Sequence, residues 1–514
     1  KDFSYFKKMN KKTLWIYITL GIFLGVSQSF FFLVPLVILS YLIFIKKILQ
    51  KENLKDSFFA GWIFGIGFYI GSMHWIVSPF LIYEKHFLLS PISVFFPLLM
   101  GLFFSLPCIL ISIFKNLIFF DRISNPTKAF TIASFFFLAE IIKSYIFGGL
   151  PLNLTAHLWA FNHEFIQVSK FVGVMGLSFL TLFWISCISI FLIEKKFSYG
   201  FLTFIFFPIF LFSFNFFSDF KKLEIAKNQV NFRVIQPNIP QIEKWDKLYF
   251  EKNLNKMLEL TTEQNIKEKE KIVVWPEVAL TYFLTEEPDV VEYLKKKIPK
   301  NITLITGGLR REFDNKSFKL FNSLYVVNNK TFDFYDKKKL VPFGEFVPFR
   351  GILKSFKLAP GTSDFSEGYK SNQMRIELEK EEIFFEPSIC YEAIFQTFAE
   401  NKSSVFVNIT NDAWFGKTIG PRQHLASQIF RSVEKSVFFL RSANSGISVV
   451  VNSKGEILKK IKLNSTGYID IQTSLSSEET FFEKHGNMSV FLIILFLGLL
   501  FYLIEFLISL KRYK

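Results

Sequence analysis

Over its first 217 residues the chain alternates long apolar runs with short, lysine-rich breaks. Each run is near or above the ~17–25 residues that cross a bilayer. The pattern predicts membrane helices near residues 13–28, 30–46, 57–79, 88–114, 128–147, 165–193 and 199–217, with an eighth near 488–510. The first run has no small-residue cleavage site and further spans follow it, so it reads as a span rather than a leader. Between 218 and 486 the texture changes. Short β-rich runs recur at Phe232–Ile235, Ile272–Trp275, Ile302–Ile305, Leu324–Val327, Ile383–Phe385, Val405–Val407 and Gly446–Val451. Amphipathic stretches, Lys247–Lys269 and Pro288–Lys297, lie between several of them. Alternating strands and helices predict an α/β domain with a layered sheet core. At about 270 residues it can bury a core of its own. The expected organisation is a membrane domain over 1–217, an outer domain over 218–486, and a last membrane helix with a short tail over 487–514.

Composition agrees with this division. Half of the 514 residues are hydrophobic, and the mean hydropathy is +0.31. Seventy phenylalanines beside many lysines point to an AT-rich genome, so a single Phe or Lys says little. The net charge of +16 does not imply a nucleic-acid partner, because the basic residues form no block. In the apolar half they gather at the ends of the runs, as membrane topology requires. Lys1, Lys7, Lys8, Lys11 and Lys12 precede the first run, and Lys46, Lys47, Lys51 and Lys55 follow the second. Lys115, Arg122 and Lys128 follow the fourth, Lys195 and Lys196 the sixth, and Lys511, Arg512 and Lys514 end the chain. Residues 148–164 carry no Lys or Arg. Eight spans with both termini inside satisfy every short loop and place 218–486 outside, which is the periplasm if the source is a diderm bacterium.

Chemistry is concentrated at strand exits. Of three cysteines, Cys108 and Cys187 lie inside apolar runs, and Cys390 alone belongs to the outer domain. Its surroundings, Ile383–Phe385 before and Ala393–Phe395 after, read as a strand that delivers a cysteine to a sharp turn, with a helix following. An unpaired thiol there is either a core residue or a nucleophile. Trp275-Pro276-Glu277 ends another strand with a carboxylate, since Pro276 cannot extend a ladder. Tyr335 to Leu340 carries Lys337, Lys338 and Lys339 past a third. Glu, Lys and Cys at strand exits of one sheet could converge on a pocket for covalent acyl transfer. The plainer reading is a solvated glutamate and a charged surface. Val341, Phe343, Phe346, Val347 and Phe349 follow the lysines, and Pro342, Gly344 and Pro348 make this stretch an apolar loop rather than a strand. Glu140 and Lys143, three apart on one helix face, read as a pair near the membrane interface, and His74-Trp75 is a further polar group in a span. No Cys/His metal cluster or phosphate loop is present in the sequence, and His424 reads as a hydrogen-bonded structural histidine.

Trp275-Pro276-Glu277, Lys337-x-x-Leu-Val-Pro-Phe-Gly-Glu345 and Cys390-Tyr391-Glu392, in that order, resemble the nitrilase superfamily. With several spans before this domain and one after it, the chain resembles more closely the apolipoprotein N-acyltransferase family. The likeness takes in Gln236-Pro237-Asn238-Ile239-Pro240-Gln241 with Lys244-Trp245-Asp246, Asn322-Ser323, Asn411 to Gly416, Gly420 to Leu425, Arg441 to Gly446, Gly149-Leu150-Pro151 and the stretch from Gly173. Ser445 and Leu152 depart from common family residues and bear on lipid preference.

The resemblance implies a polytopic α-helical domain of about eight spans plus a nitrilase-like αββα sandwich. It implies Glu277 as general base, Lys337 as essential lysine and Cys390 as nucleophile. Lys337 is chosen over Lys338 and Lys339 because, like the family's lysine, it stands three residues before Leu340 and eight before Glu345. Glu345 and Glu392 are the implied supporting acids. Trp245, Tyr391, Trp414, Phe415, Phe343 and Phe346 are the expected substrate-binding residues. The implied reaction moves an acyl chain from a membrane phospholipid, through a cysteine thioester, to the α-amino group of a diacylglyceryl-cysteine at an apolipoprotein N-terminus. No metal, cofactor or nucleic acid is expected. A monomer in the bacterial inner membrane is expected, with its catalytic domain in the periplasm. A membrane-tethered amidase using the same trio is the alternative, and a lipid-binding scaffold with a degenerate domain is a second.

Overall fold

The apolar runs fold as helices because nothing in a bilayer can satisfy a free backbone amide. The structure is a computed structural model that describes residues 11–28, 30–117, 120–217, 229–263, 270–314, 317–348, 358, 363–378, 382–396, 402–475 and 478–512. Lys1, Lys7, Lys8, Phe349 and Lys514 lie outside the described residues. Two units emerge. One is Lys1–Ile76, Pro91–Lys221 and Phe481–Lys514; the other is Val77–Ser90 and Lys222–Thr480.

Seven helices among the described residues are long and apolar enough to cross a membrane: Phe31–Leu49, Leu54–Ile82, Glu84–Lys115, Asn125–Gly148, Ser169–Ile193, Phe197–Phe216 and Phe481–Lys511. Lys11–Ser27 is a further apolar helix of 17 residues, at the short end of the spanning range. The third run differs from expectation. Its regular α-helix stops at Met73, and 3₁₀ turns at His74–Val77 and Glu84–Val94 flank the short helix Ser78–Ile82. Pro79 and Pro91 explain the break, since neither can donate a backbone hydrogen bond. Val77–Ser90 accordingly groups with the second unit, where the Ser78 side chain lies against Gly416.

Helices Lys11–Ser27 and Leu54–Met73 cross at paired glycines. A side-chain carbon on Gly21 would stand 2.1 Å from the Phe64 carbonyl oxygen, and one on Gly67 would stand 2.3 Å from that of Ile18. Gly25 and Gly71 repeat the arrangement one turn on. Small residues four apart let backbones approach where lipid supplies no hydrophobic drive. Glu140 and Lys143 are not an ion pair. Glu140 Oε1 accepts from the Thr155 amide (2.9 Å) and hydroxyl (2.6 Å), and Lys143 Nζ donates to the Leu152 carbonyl at 2.8 Å. Each holds the loop that follows its own helix.

The second unit contains two six-stranded sheets. The first has the order β12-β1-β2-β3-β4-β5, from β1 Gln229–Gln236, β2 Lys271–Val274, β3 Ile302–Asp314, β4 Ser317–Val327, β5 Phe332–Asp336 and β12 Gly467–Ser474. The second has the order β11-β10-β9-β8-β7-β6, from β6 Met374–Glu377, β7 Glu382–Ile389, β8 Val405–Thr410, β9 Phe438–Ala443, β10 Val449–Val451 and β11 Ile457–Lys460. β1, β2 and β3 run parallel, as do β7, β8 and β9.

Side chains alternate between the faces of these strands. Phe232, Val234, Ile272 and Val274 meet Phe385, Ile389, Val407 and Ile409 between the sheets. Val273, Trp275 and Leu304 point the other way and pack with Met257 of helix Phe250–Thr262 and Leu294 of helix Pro288–Lys297. Each such fully buried side chain contributes roughly 1.5–3 kcal/mol. Helix Gly420–Lys435, almost wholly buried, packs with β9. The layers are therefore α-β-β-α. Strands β5, β6, β9, β11 and β12 had escaped the hydrophobic pattern because charged or polar residues interrupt them. Arg441 in β9 is the clearest case: it is fully buried, with Asp412 as its counter-ion.

Candidate active site

Glu277, Lys337 and Cys390 each follow the last residue or residues of a strand: β2, β5 and β7. They do not share one sheet, as the sequence suggested. β2 and β5 belong to the first sheet and β7 faces them from the second, so the sandwich closes the cluster from both sides.

Glu277 is held against β3. The Gly307 amide donates to the Pro276 carbonyl at 3.2 Å, and the Leu280 amide donates to Gly307 O at 3.0 Å. A side-chain carbon on Gly307 would lie 2.3 Å from the Val278 nitrogen and 2.8 Å from Glu277 Cα, so only glycine lets this turn approach. Lys337 is 1 % exposed. Its ammonium lies 2.9 Å from Glu345 Oε2 and 3.6 Å from Glu277 Oε1. Burial alone would weaken that ammonium, but Glu345 and then Glu277 outweigh it and hold the Lys337 pKa above its ordinary value. Asn322 on β4 closes the group: its Nδ2 donates to Glu277 Oε1 at 2.8 Å and to Glu345 Oε1 at 2.9 Å. Glu345 also accepts from the Val341 amide at 2.8 Å, which fixes the start of the apolar loop.

Cys390 follows β7 at a turn with φ +53°, a left-handed conformation that a non-glycine residue adopts only where its surroundings impose it. The structure replaces the expected helix after it with a 3₁₀ turn, Cys390–Ile394. The Cys390 carbonyl accepts from Asn408 Nδ2 at 3.3 Å and Gln428 Nε2 at 3.4 Å. Burial above all, then the charge of Glu277, pushes the thiol up to about 12, while Lys337 and a hydrogen bond with Thr410 act the other way.

Glu392 braces the turn. Its Oε2 accepts from the Ile389 amide at 2.8 Å, and its Oε1 accepts from the Lys338 and Lys339 amides and the Tyr335 hydroxyl. One carboxylate thereby ties the strand before Cys390 to the backbone after Lys337. In Glu392→Gln, the amide NH₂ must face at least one of these donors. We expect a loss of about 1–3 kcal/mol from an unsatisfied buried group, read as a lower melting temperature in detergent, together with slower turnover.

Behind the turn, Arg441 Nη2 donates to both oxygens of Asp412 (3.0 and 2.9 Å), and His424 Nδ1 lies 3.0 Å from Asp412 Oδ1. Burial would raise the Asp412 carboxyl, but Arg441 and His424 outweigh it and hold it near 2. The expected aromatic residues are placed as follows. Tyr391 packs edge-on to Phe395, with ring centroids 5.0 Å apart. Trp414 and Phe415 occupy the 3₁₀ turn Asp412–Phe415, and the Phe415 ring lies 5.4 Å from that of His424. Trp245 is half-buried, and its Nε1 has no partner among the described residues. Phe343 is exposed in the apolar loop and Phe346 is half-buried. Asn322, Asn408 and Gln428 had no assigned role in the sequence; only their tertiary contacts give them one.

This fold and cluster define a carbon-nitrogen hydrolase domain, and the Carbon-nitrogen hydrolase family model matches residues 233–480. The Apolipoprotein N-acyltransferase N-terminal domain model matches residues 20–188. An apolipoprotein N-acyltransferase from Rickettsia prowazekii is 33% identical over 519 residues, covering 96% of this chain and 99% of that protein. One from Brucella suis is 28% identical and covers 80% of this chain and 78% of its own. Among solved structures, a CN-hydrolase superfamily protein from Xanthomonas campestris matches 48% of this chain and 91% of its own at 14% identity, with a TM-score of 0.31. The chain belongs to the apolipoprotein N-acyltransferase family.

Proposed function

We propose that this protein transfers an acyl chain from a membrane phospholipid to the α-amino group of the diacylglyceryl-cysteine at an apolipoprotein N-terminus. The observation that carries this reading is the buried Glu277–Lys337–Glu345 cluster with the Cys390 thiol under its charges. Glu277 takes the thiol proton as the sulfur attacks the donor's ester carbonyl. The tetrahedral oxyanion forms beside the Lys337 ammonium, which stabilises it. The C–O bond breaks, the lysophospholipid oxygen takes the proton from Glu277, and a thioester remains on Cys390. The acceptor amine then loses a proton to Glu277 and attacks the thioester. The amide forms and the thiol leaves with that proton. An ester is exchanged for a more stable amide, so the sequence of steps needs no nucleotide. Trp245, Tyr391, Trp414, Phe415, Phe343 and Phe346 are the proposed lipid contacts, and Glu345 and Glu392 support the site.

The loop charges support a domain on the periplasmic side of the inner membrane with both chain ends inside. The test is to incubate the purified protein with phospholipid carrying a labelled acyl chain and map adducts by mass spectrometry. The expected result is a hydroxylamine-sensitive thioester on the Cys390 peptide, discharged by a diacylated lipopeptide amine. No adduct, or one on another residue, overturns the mechanism. Discharge to free fatty acid alone selects the amidase-type hydrolase.

A further inference from the structure

Lys244 lies outside the trio, yet its side chain reaches the same place. It ends the short helix Gln241–Lys244, is 6 % exposed, and its Nζ donates to the Glu277 backbone carbonyl at 2.7 Å. That is its one hydrogen bond among the described residues, so two of the three ammonium donors have no acceptor there. A buried ammonium is a costly way to hold one carbonyl, and burial draws its pKa down to about 8, although Glu277 and Cys390 both act to raise it.

The chain keeps this residue in place with a dense polar framework. Asn444 accepts from the Ile239 amide at 3.0 Å, and its Nδ2 donates to Ile239 O at 2.8 Å and to Asn411 Oδ1 at 3.1 Å. Asn411 Nδ2 donates to Gln241 Oε1 at 2.7 Å. The Gln236–Gln241 stretch, which the trio leaves without a role, thereby fixes the helix that carries Lys244. Charge gives the reason. The charged groups that act on the Cys390 sulfur are Glu277, Lys337 and Asp412, with Glu345 beside Lys337 and Arg441 and His424 beside Asp412; Cys390 in turn acts on the Lys244 ammonium. Among those nearest the trio, Glu277 and Glu345 are two carboxylates facing the single ammonium of Lys337.

We infer that Lys244 is a positioning residue of the site, a second buried cation that fixes the Glu277 turn through its carbonyl and offsets the charge gathered around the Cys390 sulfur. This rests on Cys390 as the nucleophile, but its readout does not. The full-length protein in detergent is treated with iodoacetamide from pH 6.5 to 10, and alkylation of the Cys390 peptide is followed by mass spectrometry. The wild type is expected to show an inflection near pH 8 as Lys244 loses its charge. Lys244→Met is expected to lose that inflection and to react about tenfold more slowly at pH 8, the rate change of a thiol raised by about one pKa unit. Lys244→Arg keeps its charge across this range, so it is expected to lose the inflection while staying within about threefold of the wild type. In acyl transfer, kcat is expected to fall in Lys244→Met while KM holds. Superimposable profiles for wild type and Lys244→Met overturn the inference. If that variant does not fold, a wild-type profile without the inflection overturns it. Failure of the catalytic reading shows separately, as a wild type that forms no acyl thioester yet displays the Lys244-dependent profile.

Discussion

Cys390→Ala is expected to abolish acyl transfer, by at least about 10⁴-fold in kcat, with the fold kept. In the proposed mechanism the rate falls because the sulfur forms the covalent intermediate. The fold survives because alanine fits the space of a cysteine, and the left-handed turn strains alanine no more than it strains cysteine. The bracing contacts also remain, since Asn408 and Gln428 hold the residue's carbonyl and Glu392 holds the amide of Ile389. A second effect follows from the raised thiol. Its ordinary pKa is 9.0, and in the folded protein it is pushed up to about 12. Between those values the folded chain keeps a proton that the unfolded chain gives up. The thiol's contribution to stability is therefore full below pH 9 and is lost as the pH rises towards 12. Cys390→Ala should lack this alkaline loss. The measurements are turnover with a diacylated lipopeptide and melting curves from pH 7 to 10.5. Residual turnover above one part in a hundred would remove Cys390 from the mechanism.

Lys337→Met should damage both activity and stability. In the proposed mechanism the substitution removes the oxyanion's donor, which is worth about 10²–10³-fold in kcat, and it removes the ammonium that lies 3.6 Å from Glu277. It also leaves Glu277 and Glu345 buried without the ammonium between them. Breaking a buried pair in this way costs roughly 3–5 kcal/mol. Lys337→Met is thus expected to melt well below the wild type and to form no detectable thioester. Lys339→Met is the matched control. Its side chain is exposed, and only its backbone amide serves Glu392, so its activity should stay within about twofold of the wild type. Equal losses in the two variants would show that the lysine run acts as a charged surface, the plainer of the two readings its sequence allows.

Much of this was legible in the sequence, for identifiable reasons. Membrane helices announce themselves because a bilayer demands unbroken apolar length, and the runs from Asn125 and Ser169 fall close to their expected places. The third run falls at its expected place, but its regular α-helix stops at Met73, because Pro79 interrupts the helix while the apolar character goes on to Ile82. The glycine pairs at 21/25 and 67/71 were in plain sight as a spacing, but their partners are known only from the crossing. In the outer domain, the helix Pro288–Lys297 and the strands with uniform apolar runs were clear. β9 was not, because Arg441 in a buried strand looks wrong until Asp412 is placed beside it.

The family resemblance is what singled out Lys337 among its neighbours. The sequence by itself determined the two textures of the chain and the strand exits that carry Glu277 and Cys390. These depend on local order, on periodicity and on chain distance, all of which a sequence records. Tertiary structure alone decided that Cys390 approaches from the opposite sheet, that Asn322 joins two carboxylates 68 positions apart, and that Glu392 braces the turn. It alone brought Lys244 to the carbonyl of Glu277. Such contacts depend on which layers face each other, and burial then sets the charge state of each group. Neither leaves a period in the chain.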